Sequence, residues 1–228
     1  MDRPLTGPVL FLTVNNTKNK RNLKKMAESK VSISNQALVK CGASTISAFT
    51  DGSNEANVCS TMYENVKKGL MYYTFWNFAI NKQALNITTE TPTDKSYTKT
   101  HSLPGSIIRI KGFFDNQGYA ITDYSVEGDK VYSNTEILNI VYVKDMDEDK
   151  FPVFFIEALI AKLAVEINEA ITGVGTITNR LAEDFQSKLR AARISDGQEN
   201  PPRNIMPIGT LVEAHIGGNF NRLRHPTN

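Results

Sequence analysis

Residues 151–172 read FPVFFIEALIAKLAVEINEAIT, a nearly continuous apolar run. Beyond the first turn, its charged side chains fall on one narrow face at 100° per residue: Lys162, Glu166 and Glu169. A helix with so small a polar face is buried on most of its sides. Pro152 suits a first helical turn and Gly173 suits a C-terminal stop. The pattern therefore predicts a buried helix from Pro152 to Thr172.

Glu157 lies on the apolar side of this predicted helix. A buried carboxylate without a partner is costly in free energy. Three interpretations remain open: an arginine of the last helix pairs with Glu157, this face meets another subunit, or the side chain is partly exposed in the first turn. We predict Glu157 as a subunit-interface residue, together with Arg180 and Arg190 of the last helix.

Two further helices are predicted upstream from apolar residues at intervals of three and four. The first is capped by Ser32 or Ser34 and stops at Gly42, a residue that adopts the left-handed conformation readily. The second follows a cap at Asp51 or Ser53, and its apolar stripe continues through Trp76 and Ile80 toward Leu85. It is therefore expected to be the longest helix.

The last helix and the segment before residue 151 complete the pattern. Thr176 or Thr178 is expected to cap the last helix and Gly197 to end it. Short β-branched and aromatic runs predict a small antiparallel sheet, with Glu127–Lys130 as a hairpin turn. The predicted strands are 107–110, 119–122, 124–126, 131–132 and 137–143.

The charge of the 228-residue chain is unevenly distributed. Residues 1–25 contain six basic residues and one acidic residue, a net charge of +5, whereas the whole chain carries +2 and the remainder therefore −3. Residues 1–25 are interpreted either as a flexible basic arm or as a leader preceding a natural start at Met26. A hydrophobic content of 40% argues against a wholly disordered chain, and no apolar run is long enough to span a membrane.

The motifs of catalytic and metal-binding proteins are incomplete in this sequence. Asp145–Asp149 resembles the start of a calcium loop, but Lys150 and Ile156 replace the required Gly and Glu, so a solvated loop is expected. Cys41 and Cys59 lie on apolar stripes and are predicted to be core residues. The histidines at 101, 215 and 225 are predicted to lie at the surface or at an interface. We predict no enzymatic activity and no cofactor or metal.

Several local motifs follow one another in a characteristic order. The upstream motifs are NQALVKCGA (35–43), ISAFTDGS (46–53), Ala56, Cys59, Tyr63 and WNFA (76–79). The downstream motifs are LPGSIIR (103–109), YSVEGDKVYS (124–133), IVYV (140–143) and FPVFFIEAL (151–159). Their order and spacing resemble the head–tail adaptor of short-tailed bacteriophages, the tail tubular protein A type, over about residues 31–197. Cys41 departs from the more usual apolar residue, and residues 1–25 have no counterpart.

The resemblance implies an α+β fold: an antiparallel bundle of about four helices with an inserted small antiparallel β-domain and an extended C-terminal arm. The expected divisions are a basic leader (1–30), helical core (31–87 and 151–197), β-domain (88–150) and arm (198–228).

The family also implies a function in the virion, in its tail or neck. It implies a homo-oligomeric ring, expected to be a dodecamer, between the portal protein and the tail nozzle protein, with double-stranded DNA passing through the centre without specific binding. The arm is then expected to reach the portal through Arg203, Arg222 and Arg224. The alternatives are a DNA-binding or regulatory protein that uses the basic N-terminal arm, and a tail-associated hydrolase.

Overall fold

A computed structural model describes residues 28–173 and 175–199. The described chain is a mixed α/β structure with four helices and two small antiparallel sheets. The helices are α1 (Lys30–Cys41), α2 (Asn54–Tyr73), α3 (Val153–Thr172) and α4 (Gly175–Glu199). The strands are β1 (Ile80–Ala84), β2 (Asn86–Thr88), β3 (Lys99–Ser102), β4 (Ile107–Phe114), β5 (Ala120–Ile121), β6 (Tyr124–Glu127), β7 (Lys130–Ser133) and β8 (Asn139–Lys144).

Helix α3 is the centre of the helical part, as its apolar sequence predicts. It contacts α1, α2 and α4, and Phe155, Leu159 and Leu163 are fully buried in the shared core. Pro152 precedes its first turn, and Gly173 at φ 64° ends it in the left-handed conformation. The prediction of this helix is thus confirmed, including its stop.

Helix α1 begins earlier than predicted. Ser29, not Ser32 or Ser34, is the N-cap, and its hydroxyl accepts a hydrogen bond from the Ser32 amide at 3.1 Å. Ser34 is buried inside the helix. The predicted cap at Ser53 is confirmed for α2, since its Oγ accepts from the Ala56 amide at 3.2 Å. The predicted stop at Gly42 is confirmed as well.

Helix α2 does not continue to Leu85, and that part of the prediction is wrong. It ends at Tyr73, and the chain enters a 3₁₀ turn (Asn77–Ala79) and then β1. The indole nitrogen of Trp76 turns back and donates to the Leu70 carbonyl at 2.9 Å, so it satisfies one of the open groups at the helix end. The first two strands thus lie within the range assigned to the helical core by sequence.

Two sheets form where one was predicted. Their strand orders are β1-β8-β4-β5 and β2-β3-β7-β6, and every pair is antiparallel. The predicted hairpin is present between β6 and β7, where Gly128 adopts φ 61°. Strands β1, β2 and β3 were not predicted, because their sequences are largely polar and lack alternating apolar residues.

Strand β8 joins the two hydrophobic cores of the molecule. Ile140 and Tyr142 pack with Phe113, Val131 and Leu138 in a core between the strands, whereas Val143 packs in the helical core. Successive side chains of a strand point to opposite faces. The sheet that contains β8 is therefore attached to the helices along one face.

The last helix is longer than predicted at both ends. It begins at Gly175, so neither Thr176 nor Thr178 caps it, and it passes through Gly197 to Glu199. A glycine inside a helix costs only about 1 kcal/mol, which tertiary contacts can offset. Here Asp196 provides such a contact, because its carboxylate accepts from the Asn77 amide at 2.9 Å. The predicted arm beyond residue 199 lies outside the described residues.

Candidate interaction surfaces

The predicted interface residues lie apart from one another. Glu157 is half-exposed on α3, and Lys188 of α4 pairs with it at 2.8 Å, so the partner from the last helix is a lysine and not the expected arginine. Arg180 and Arg190 are exposed on α4. Neither forms an ion pair with any residue that the structure describes. The predicted portal-binding residues Arg203, Arg222 and Arg224 fall outside the described ranges.

An open groove of about 710 Å³ lies between α1, α3 and α4. Its apolar lining comes from Val31, Val39, Ile46 and Ile160. Val39 is 62% exposed, although most valines on an amphipathic helix are covered. We call this region the α1–α3–α4 groove, and its lining residues are Ser29, Val31, Ser32, Asn35, Gln36, Val39, Lys40, Ile46, Ser47, Glu157, Ile160 and Lys188.

Two ion pairs tie α4 to the helices that form this groove. Lys188 binds Glu157 of α3 at 2.8 Å, and Asp184 binds Lys40 of α1 at 2.5 Å. All four side chains are one-third to one-half exposed, so each pair contributes little to stability. The groove thus combines an apolar lining with the carboxylate of Glu157, and Asp184 lies beside it in contact with Lys40.

A second open surface combines tyrosines with arginines. We define the Tyr–Arg surface as Tyr72, Tyr73, Arg109, Arg190, Arg193 and Ile194. The side chains of Tyr72, Tyr73 and Ile194 are each more than half exposed. A depression of about 460 Å³ is lined by Tyr73, Leu189, Ile194, Arg190 and Arg193. Tyrosine and arginine are enriched at the centres of protein interfaces.

Arg109 is held in place on this surface by aromatic rings. Its guanidinium carbon lies 5.2 Å from the centre of the Tyr72 ring and 4.2 Å from that of Phe75. One of its nitrogens donates to the Tyr72 carbonyl at 3.1 Å. This contact satisfies a carbonyl at the end of α2, and cations are favoured there by the helix dipole. Arg109 therefore has a structural role as well as a place on the surface.

The two surfaces lie on opposite sides of α4. Side chains of a helix advance by about 100° per residue, so Lys188 and Arg190 differ by about 200°. Lys188 lines the α1–α3–α4 groove, whereas Gln186 and Arg190 line the depression beside Tyr73. Arg180 lines neither. One helix thus presents two chemically different open surfaces in opposite directions.

A buried charge cluster was not predicted from the sequence. Lys67 of α2 is only 4% exposed, and its Nζ lies 3.1 Å from Glu64, 3.4 Å from Asp145 and 3.6 Å from Glu148. The Asp145 contact is one of charge, because that oxygen lacks a directed hydrogen bond. Burial opposes the charge of Lys67, but these carboxylates raise its pKa above the ordinary value. The loop of Asp145–Asp149 was predicted to be solvated, but Asp145 and Glu148 instead contact the buried Lys67.

The predicted positions of the cysteines are confirmed, whereas that of His101 is not. Cys41 and Cys59 are buried core residues as predicted, and burial raises the pKa of the Cys59 thiol to about 11. His101 is fully buried, so its predicted surface position is wrong. It lies on β3, between β2 and β7, and its Nε2 is 3.3 Å from the Glu136 carbonyl. His215 and His225 lie outside the described residues.

Residues 28–173 and 175–199 contain no group of three or more His, Cys, Asp or Glu side chains arranged to hold a metal ion. Within the same ranges, no helix combines the length and apolarity needed to cross a membrane.

No model of a known protein family matches the chain, and no curated protein sequence is significantly similar to it. The function of this chain is therefore inferred from its open surfaces and from the order of its sequence motifs.

Proposed function

We propose that this chain is a structural head–tail adaptor of a short-tailed bacteriophage. Its copies form a ring, expected to contain twelve subunits, between the portal protein and the tail nozzle protein. Double-stranded DNA passes through the centre of the ring. In this proposal the four helices act as the antiparallel bundle of such an adaptor, and the strands between α2 and α3 form the β-domain inserted into it.

The observation that carries the proposal is the pair of unlike open surfaces on opposite sides of α4. A closed ring built from identical copies uses heterologous contacts, in which one face of a copy binds a different face of the next. Each copy therefore needs two distinct contact surfaces. The α1–α3–α4 groove and the Tyr–Arg surface differ in shape and chemistry, as this arrangement requires.

The charge of the described part also supports passage of DNA without tight binding. Residues 28–199 contain 17 basic and 22 acidic residues, a net charge of −5. Protein–DNA affinity depends strongly on lysine and arginine contacts to phosphates. A ring whose subunits are net acidic from residue 28 to 199 attracts DNA weakly through that part of its charge, which favours movement of DNA through the channel.

The contacts with neighbouring virion proteins are assigned to different parts of the chain. We assign the nozzle contact to the strands, and the portal contact to residues 200–228, which include Arg203, Arg222 and Arg224. The test is a chain shortened at Glu199. It should keep the circular dichroism spectrum of the helices and sheets and lose attachment to DNA-filled heads. Attachment equal to that of the full chain would contradict the portal assignment.

A further inference from the structure

We infer that the Tyr–Arg surface of one copy occupies the α1–α3–α4 groove of the next copy, with Arg190 approaching the next copy's Glu157. This inference rests on the proposed ring and specifies which surfaces meet in it. It also gives the contact a direction, because each surface binds the other and not itself.

The unpaired arginines are the first argument. The described residues include four arginines, at positions 109, 180, 190 and 193, and none of them forms a salt bridge within those ranges. Eight lysines of the same ranges do form salt bridges, and acidic residues exceed basic ones by five. Arg109 lies beside Tyr72, and Arg190 and Arg193 line the depression next to Tyr73. The molecule thus leaves the cations best suited to bidentate carboxylate binding available on one surface.

The groove supplies a matching set of groups. Glu157 lines the groove and Asp184 lies beside it, with side chains that are 50% and 36% exposed and, among the described residues, form ion pairs with lysines. A planar guanidinium binds a carboxylate through two parallel hydrogen bonds, which an ammonium group cannot do. The apolar side chains of Val31, Val39 and Ile160 provide a surface for tyrosine rings and Ile194. Apolar burial and carboxylate binding are therefore possible in the same contact.

A second copy fits this surface better than a nucleic acid does. A nucleic acid carries phosphates along its whole length and would extend beyond the three arginines of the Tyr–Arg surface and the neighbouring Lys111 onto a body of net charge −5. Another copy of the chain offers the arginines Glu157 in its groove, with Asp184 beside it. Local pairing of unlike charges therefore favours a second copy at this surface, although the two bodies carry the same net charge.

The opposite placement of the two surfaces determines the type of assembly. If both surfaces lay on one side of α4, two copies could satisfy each other and stop at a dimer. Because they face in opposite directions, a growing chain of copies keeps one free groove at one end and one free Tyr–Arg surface at the other. Addition then continues until the chain of copies closes.

Disulfide trapping tests this contact directly. The double variant Glu157→Cys with Arg190→Cys should give, under mild oxidation, a covalent ladder of dimers, trimers and larger species on non-reducing gels. The matched control is Glu157→Cys with Asn179→Cys, because Asn179 is also exposed on α4 and lines neither surface. The native Cys41 and Cys59 are buried and give little background.

The trapping outcomes separate the possible contacts. A ladder in the double variant, with none in the control, supports the inference. It is overturned by an equal ladder in the control, by the absence of cross-links, or by a dimer that Glu157→Cys alone also forms. If cross-links are absent while the unchanged chain still forms rings with the portal, the proposed function stands and only this contact is wrong.

A charge exchange gives a second, independent readout. Glu157→Arg and Arg190→Glu should each raise the concentration needed for half-assembly by at least about tenfold, equivalent to about 1.4 kcal/mol. The two changes together in one chain should restore assembly, whereas Lys95→Glu, at an exposed site outside both surfaces, should leave it unchanged. Circular dichroism and thermal melting of each variant identify a folding defect. Failure of the double variant to assemble although it is folded would overturn the Arg190–Glu157 pairing, as would single variants that assemble normally.

Discussion

At the scale of single residues, Lys67 stabilises the connection between α2 and the loop before α3. Its buried ammonium group lies among the carboxylates of Glu64, Asp145 and Glu148. Loss of one partner of a buried charge pair leaves the others desolvated without compensation, which typically costs about 3–5 kcal/mol. Two of the three carboxylates are largely covered here, and Glu64 is 42% exposed. The lower end of that range therefore applies.

Lys67→Ala should lower the free energy of unfolding by about 3 kcal/mol, measured by urea denaturation. The neighbouring Lys68 is the matched control, since it is 54% exposed and lies 3.8 Å from Asp145. Lys68→Ala should change the unfolding free energy by less than about 1 kcal/mol. Equal effects of the two substitutions would contradict a special role for the buried lysine.

The carboxyl of Asp196 makes the free energy of unfolding depend on pH, and the sign of that dependence follows from its pKa. Burial raises the pKa of its carboxyl above the ordinary value of about 3.9, although the hydrogen bond from the Asn77 amide acts in the opposite direction. A group with a raised pKa in the folded state binds protons more readily there than in the unfolded state. Its contribution to stability is therefore complete at low pH and is lost as pH rises through the folded pKa.

Asp196→Asn keeps an oxygen acceptor for Asn77 and removes the buried charge. As pH rises from about 4 to 7, the free energy of unfolding of the unchanged protein should fall relative to that of this variant. Asp94 is the control of opposite sign, because hydrogen bonds from Ser96 lower the pKa of its carboxyl. Relative to Asp94→Asn, the unchanged protein should gain stability as pH rises. A reversed trend at Asp196 in chemical denaturation at several pH values would contradict this account.

At the scale of secondary structure, the end of α2 separates the helices from the strands. Trp76 is fully buried, donates to the Leu70 carbonyl and packs edge-on against Phe155 with ring centres 5.2 Å apart. Asp196 of α4 binds the next residue, Asn77. Side-chain contacts from two other helices therefore determine where α2 stops, and they override a helical pattern that continues in the sequence.

Trp76→Phe removes the indole donor and part of the buried ring. The Leu70 carbonyl then loses its buried partner, which costs about 1–3 kcal/mol, and the smaller ring leaves a cavity. We expect the free energy of unfolding to fall by about 2–4 kcal/mol in urea denaturation. Tyr119→Phe, at a 70% exposed site, is the control and should change it by less than about 0.5 kcal/mol. Similar small changes for both variants would mean that Trp76 does not hold this junction together.

The local sequence pattern predicts some of the helices correctly and misses features that depend on distant contacts. Helices α1 and α3 follow from periodicity and glycine stops, because those signals lie within the elements themselves. The end of α2 at Tyr73, well before the predicted end, depends on a distant contact with Asp196. The burial of His101 depends on the neighbouring strands β2 and β7. Lys67 gave no signal in the sequence, since its three carboxylates are recognised only once the loop before α3 is placed. Of the candidate interface residues, Glu157 and Arg190 do line open surfaces, but their opposite placement required the structure.

At the scale of the whole molecule, the distribution of charge agrees with the proposed assembly. The body from residue 28 to 199 carries −5, whereas residues 1–25 carry +5 and residues 200–228 carry +2. The overall charge of +2 thus conceals an acidic body with basic ends. In the proposed ring, the acidic bodies join one another through their few arginines, and the basic C-terminal residues are available for carboxylates of the portal.

The central claim is that copies of this chain assemble on a portal as a closed ring. Mass photometry of the chain, alone and mixed with the portal ring of the phage that carries it, measures this directly. We expect the portal species to gain a discrete mass of about twelve times the 25.4 kDa of one chain. An unchanged portal mass at saturating concentrations of folded chain, or a gain of only one or two copies, would contradict the account.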